Sequence, residues 1–152
     1  KETGLLASFI DENGFLYEDA PIKGSYSALN CYYLTLIDKD FAYEQYSKLK
    51  THFWKNSLIS GLKEYYKDVF HIGLDMDAGP IIFELSPTGT AFCTGSATFF
   101  NDTHTRIQIL KTAEIAGHSI LYNEKRHYLL ANIALVGESI MLAMRTNFDF
   151  TE

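Results

Sequence analysis

Two stretches of helical spacing joined by only three residues constrain this chain more than any other feature. From Ser25 to Ile37, apolar side chains recur at Leu29, Tyr32, Tyr33 and Leu36. From Phe41 to Trp54 they recur at Ala42, Tyr46, Leu49 and Phe53. Both sets fall on one face of a helix. Asp38-Lys39-Asp40 lies between them and supplies carboxylates suited to capping the second helix. So short a link folds the pair into an antiparallel αα-hairpin.

The helical pattern resumes at Ser86-Pro87. Serine is a favoured N-cap and proline suits the first helical position. The helix that follows carries Gly89, Ala91, Gly95, Ser96 and Ala97. Glycine in a helix interior costs about 1 kcal/mol relative to alanine, so Gly95 implies a close approach by a backbone or ligand. Asn101-Asp102 ends this helix and caps a fourth, which runs to about Ala116, with Gly117 as its stop. A last helix is predicted over Leu130–Arg145, buried along Ile133, Val136, Ile140 and Met144.

Other segments read as connections. Leu5–Ile10 ends a helix or forms a short strand, Glu12-Asn13-Gly14 is a turn, and Phe15-Leu16-Tyr17 is extended. Pro21 and Gly24 punctuate the approach to the first helix. Asn56–Leu85 is irregular, with a short strand over Ile81–Leu85. Ser119–Tyr122 and Arg126–Tyr128 pair as a hairpin around Asn123-Glu124-Lys125. The expectation is a single all-α domain of antiparallel helical hairpins with short β-hairpin or loop insertions.

Charge and composition exclude several classes. The chain has 152 residues, 47% apolar, and a formal net charge of −6. Its basic residues are scattered, whereas a nucleic-acid surface needs a basic stripe to neutralise phosphates. Anionic membrane surfaces are set aside on the same ground. No run of 18 apolar residues is present, so no membrane span is expected. Cys31 and Cys93 are too few for a disulfide scaffold or a zinc cluster. They read as buried thiols, with a single disulfide as the alternative, so the compartment stays open. His71, His104, His118 and His127 show no ligand spacing, and neither metal nor cofactor is expected.

Certain motifs point to a family. Pro21-Ile22-Lys23-Gly24-Ser25 precedes a tyrosine-rich helix, Phe41-Ala42 opens the second helix, and Asp75-Met76-Asp77-Ala78-Gly79-Pro80 precedes a Gly/Ala-rich helix. From about Gly14 to Thr146 this resembles the α/α-toroid proteins. They include six-hairpin glycosidases and the linalool dehydratase/isomerase-like group. The resemblance implies a ring of about twelve helices, of which this chain would supply the C-terminal half. The start at Lys1, without methionine, fits a truncated or processed chain. Half a ring would expose apolar helix faces, so self-association, or cover by a missing N-terminal half, is expected.

The resemblance makes the Asp75–Pro80 segment a loop at a cavity mouth. In an extended segment, the spacing of Asp75 and Asp77 puts both carboxylates on one face. Close carboxylates separate each other's pKa values and so furnish an acid and a base. The alternative is that an aspartate caps its own loop while Gly79-Pro80 forms a tight turn. Tyr26 and Tyr33 would stack on a sugar or shape an apolar pocket, or else pack in the core. His71 is the nearest candidate polar partner. Glu84 is either a third site carboxylate or a solvated or ion-paired side chain. The function implied is acid–base chemistry on a saccharide. A terpenoid-alcohol dehydratase or isomerase, or a non-catalytic binding module, are the alternatives.

Overall fold

The computed structural model describes residues 3–15, 17, 21–66, 73–75, 78–81, 83–116, 119–128 and 135–146. Within them the chain is mostly helical, with five α-helices and short antiparallel strand pairs. The helices are α1 (Gly24–Leu34), α2 (Lys39–Phe53), α3 (Pro87–Phe99), α4 (Thr103–Ala116) and α5 (Leu135–Thr146).

The helix starts follow the cap chemistry. Asp38 Oδ1 accepts from the amides of Asp40 and Phe41, and α2 therefore begins at Lys39 rather than Phe41. Ser86 Oγ accepts from Gly89 N at 3.0 Å, with Pro87 in the first turn. Asp102 Oδ1 accepts from Thr105 N at 3.1 Å at the start of α4. Each bond satisfies an amide that a helix start leaves without an internal partner. The last helix is described over Leu135–Thr146; residues 130–134 of its expected span lie outside the described residues.

The stripe expected on α1 is corrected. Tyr33 and Leu36 are exposed, and α1 ends at Leu34, before Ile37. Its buried side is made of Gly24, Ser25, Ser27, Ala28, Cys31 and Tyr32. Small side chains let α1 lie close to α3, which is itself buried on almost every side through Gly89, Thr90, Ala91 and Cys93 to Thr98. The predicted face of α2 is found: Ala42, Tyr46, Leu49 and Phe53 are all buried. Leu49, Phe53, Leu62, Cys31, Cys93, Ala97 and Ile109 join one core. Helix α3 is central, packed against α1, α4 and α5, and α2 packs on α1.

Among the described residues of 54–85, short strands pair where the sequence reads mostly as irregular. Strands β1 (Trp54–Lys55) and β2 (Gly61–Leu62) pair antiparallel. Strands β3 (Gly73–Asp75) and β4 (Gly79–Ile81) do likewise, with Asp75 opposite Gly79. The strand expected over Ile81–Leu85 does not extend that far. Phe83 and Glu84 have φ of 50° and 70°, which turns the chain there. Strands β5 (Ser119–Tyr122) and β6 (Lys125–Tyr128) form the predicted hairpin. Its turn is Asn123-Glu124, both at positive φ, the backbone of a two-residue hairpin turn.

The N-terminal segment 5–7 is irregular, neither helix nor strand. Gln45 pins it by accepting from Leu6 N at 3.0 Å and donating to Gly4 O at 3.3 Å. The turn at Asn13-Gly14 forms as expected, organised by Asp11 Oδ1, which accepts from Asn13 N and Phe15 N.

Candidate functional site

A five-residue splint, 61–65, brings the starts of α1 and α3 to the same end of the molecule. Lys23 bridges Tyr65 just before α1, and Leu85 bridges Lys63 just before α3. Glu64 O accepts from Gly24 N at 2.8 Å, and Leu62 O accepts from Ser86 N at 2.8 Å. Gly24 is required by this approach: a Cβ there would stand 2.0 Å from Lys63 O. At Gly89 a Cβ would stand 3.0 Å from Ser25 N, so the two helix starts touch.

The chemistry at this end centres on Glu64, which is completely buried. Helix α1 has no side-chain cap of its own at Lys23. Glu64 supplies one from 39 residues away: Oε2 accepts from Ser25 N at 3.2 Å and Oε1 from Ser25 Oγ at 2.8 Å. A carboxylate among donors at a helix N-terminus is stabilised by those bonds and by the helix dipole. Sequence reasoning missed this residue. Lys63-Glu64-Tyr65 reads as a polar surface run, and nothing local marks Glu64 for burial.

Ala78, just before β4, lies at the same end. Thr88 Oγ1, in the first turn of α3, donates to Ala78 O at 3.0 Å, and Ala78 is fully buried. Ala78 is thus fastened to the start of α3. Asp75 closes β3, and the strand-alternation argument reaches no further along the chain. Asp77 and His71 lie outside the described residues.

The remaining predicted residues divide. Tyr26 is in the first turn of α1, edge-on to Phe9 at 5.2 Å between centroids, with Lys23 Nζ 5.9 Å from its ring centre. Tyr33 lies seven residues on, roughly 10 Å along the helix. It is exposed and packs beside Tyr32, away from this end. Glu84 is ion-paired: Lys55 Nζ lies 2.6 Å from its Oε2, while its carbonyl accepts from Glu64 N.

A separate polar cluster lies where α2 meets the link between α3 and α4. Asp102 Oδ2 accepts from Lys50 Nζ at 2.5 Å, Tyr46 OH at 2.9 Å and Thr105 Oγ1 at 2.8 Å. Burial raises the Asp102 pKa, but the bonds from Lys50, Thr105 and Tyr46 outweigh it and hold the carboxyl well below the usual range. All of its partners are structural, so the cluster fastens α2 to α4. Burial pushes the Cys31 thiol up to about 12 and raises that of Cys93 further, as expected of inert core thiols. Among the described residues, no group of three His, Cys, Asp or Glu is placed to hold a metal ion. None of their helices is long and apolar enough to cross a membrane. A cavity of about 470 Å³ lies between the N-terminal segment and α1, lined by Leu5, Leu6, Ala7, Ile10, Asn30 and Leu34. No protein-family model matches the sequence, and no curated protein or solved structure is significantly similar to it.

Proposed function

We propose that this chain is part of an α/α toroid whose site lies at the end where α1 and α3 begin. Asp75 and Asp77 form its acid–base pair, and the substrate is a saccharide. The carrying observation is the bond from Thr88 Oγ1 to Ala78 O, which fastens the aspartate-bearing connection to the start of the central helix. The packing supports the toroid: α3 lies against both α1 and α5, while α2 backs α1 and α4 backs α3. That is the layering of an inner row of helices and an outer one.

One carboxyl of such a pair stays protonated and delivers a proton to the leaving oxygen. The other, ionised, serves as base or nucleophile according to their separation. Tyr26 sits at this end and offers its ring to a sugar face; His71 is the polar partner four residues before Asp75. Tyr33 and Glu84 have no part in it.

The test is glycoside cleavage by the full-length protein and its Asp75→Asn and Asp77→Asn variants. Each substitution is expected to lower the rate at least about a hundredfold. Unchanged rates in both variants, with the fold intact, would overturn the assignment. Dehydration of a terpenoid alcohol in place of glycoside cleavage would overturn the substrate class while keeping the carboxylates.

A further inference from the structure

We infer that the cavity between the N-terminal segment and α1 binds a small aliphatic molecule with one uncharged hydrogen-bonding head, a medium-chain alcohol. Its outer wall is fixed to two helices. Gln45 accepts from Leu6 N at 3.0 Å and donates to Gly4 O at 3.3 Å, which ties the segment to α2. Ser8 Oγ accepts from Lys23 N at 3.2 Å, and Phe9 lies edge-on to Tyr26, which ties it to the start of α1. A space of about 470 Å³ stays between the segment so held and α1. Small-molecule sites occupy roughly 300–1,000 Å³, and walls already in place spare a ligand the cost of ordering them.

The lining selects the chemistry. Leu5, Leu6, Ala7, Ile10 and Leu34 are aliphatic, and Asn30, one turn before Leu34 on α1, is the polar member. Leu6 and Ile10 remain 39% and 59% exposed, apolar area that a hydrocarbon chain would take out of water. Among the described residues, the Asn30 carboxamide forms no hydrogen bond, so its oxygen and its amino group are both open to a ligand. A hydroxyl donates to the first and accepts from the second. No charged side chain lines the space, so an ionised head would lose water without gaining a counter-charge. A saccharide has more hydroxyls than one carboxamide can pair, and the unpaired ones carry the same kind of cost. An alcohol is therefore favoured over a fatty-acid anion and over a sugar. In its ligand class the site is separate from the one proposed at Asp75 and Asp77.

The experiment is a titration of the full chain with 1-octanol, followed by backbone amide NMR, beside titrations with octanoate and with glucose. Saturable shifts are expected at Leu6, Ala7, Ile10, Asn30 and Leu34, with octanoate at least about tenfold weaker and glucose without effect. The Asn30→Ala variant should bind octanol about three- to tenfold more weakly, the loss of one hydrogen bond. The Ala7→Trp variant, which fills the space, should lose the shifts and keep the rest of its spectrum native. Octanol shifts that do not saturate, or that appear equally at the exposed Leu121 and Leu142, would overturn the inference. Binding unchanged in both variants would do the same, as would octanoate or glucose binding as tightly as octanol. If these resonances move with protein concentration alone, a second copy of the chain fills the space and the ligand assignment falls.

Discussion

Gly95 lies directly against the ring of Tyr32: a methyl group on Gly95 would stand 2.7 Å from Tyr32 Cδ2 and 2.7 Å from Met144 Sδ. Three helices, α1, α3 and α5, therefore meet at a point where only a hydrogen atom fits. The Gly95→Ala variant gains about 1 kcal/mol in helix propensity. Overpacking costs about 1–3 kcal/mol in a filled core. A fully buried tyrosine ring cannot swing aside as a flexible chain end can, so the net effect is a loss. Urea unfolding checks it, and a stabilised variant would contradict the packing described.

Asp102 predicts an acid-sensitive fold. Its carboxyl is held below the ordinary value of 3.8, so in acid the unfolded chain takes up the proton first. The stability it contributes is complete above that value and is lost as pH falls below it. The Asp102→Asn variant is expected to be weaker by about 1.5–3 kcal/mol near neutrality, the worth of bonds to a charged group. It should also show a flatter loss of stability below about pH 4. Parallel acid curves for the two proteins would count against the network.

The two thiols are predicted to be silent in the folded state. Both are buried and their pKa values are raised, with Cys31 near 12, so almost no thiolate exists at pH 8. Labelling by a thiol reagent should follow global unfolding and rise with urea. Rapid labelling of either residue in native buffer would contradict their place in the core.

The toroid reading predicts self-association. Leu36 and Ile37, in the turn after α1, and Leu142 on α5 are exposed to 63%, 80% and 64%. Light scattering should show a mass that grows with concentration, and Ile37→Asp should reduce that growth. A mass equal to one chain at every concentration would oppose it.

The caps were legible in the sequence because each depends on residues close along the chain. Asp38, Ser86-Pro87 and Asp102 bond amides two or three positions away. The β5–β6 hairpin was legible for the same reason. The stripe of α1 was not. Periodicity weighs large apolar residues, and this interface is built from serine, alanine, glycine and cysteine, which leaves Tyr33 and Leu36 outside. The candidate site was half legible. Asp75 and its turn stand out locally, but Glu64 acquires its role only from Ser25, 39 residues earlier. Ion pairing of Glu84 was among the readings its sequence allowed, but its partner was not legible, because Lys55 lies 29 residues before it.

The splint also sets an order of events in folding. Helices α1 and α2 can dock as soon as both exist, since only a short link separates them. Helix α1 cannot find its register on α3 until residues 61–65 close two loops, one back to Lys23 and one forward to Leu85. Closing such loops costs entropy before any contact repays it. The α1–α2 hairpin is therefore expected to form before the end of the molecule where α1 and α3 begin.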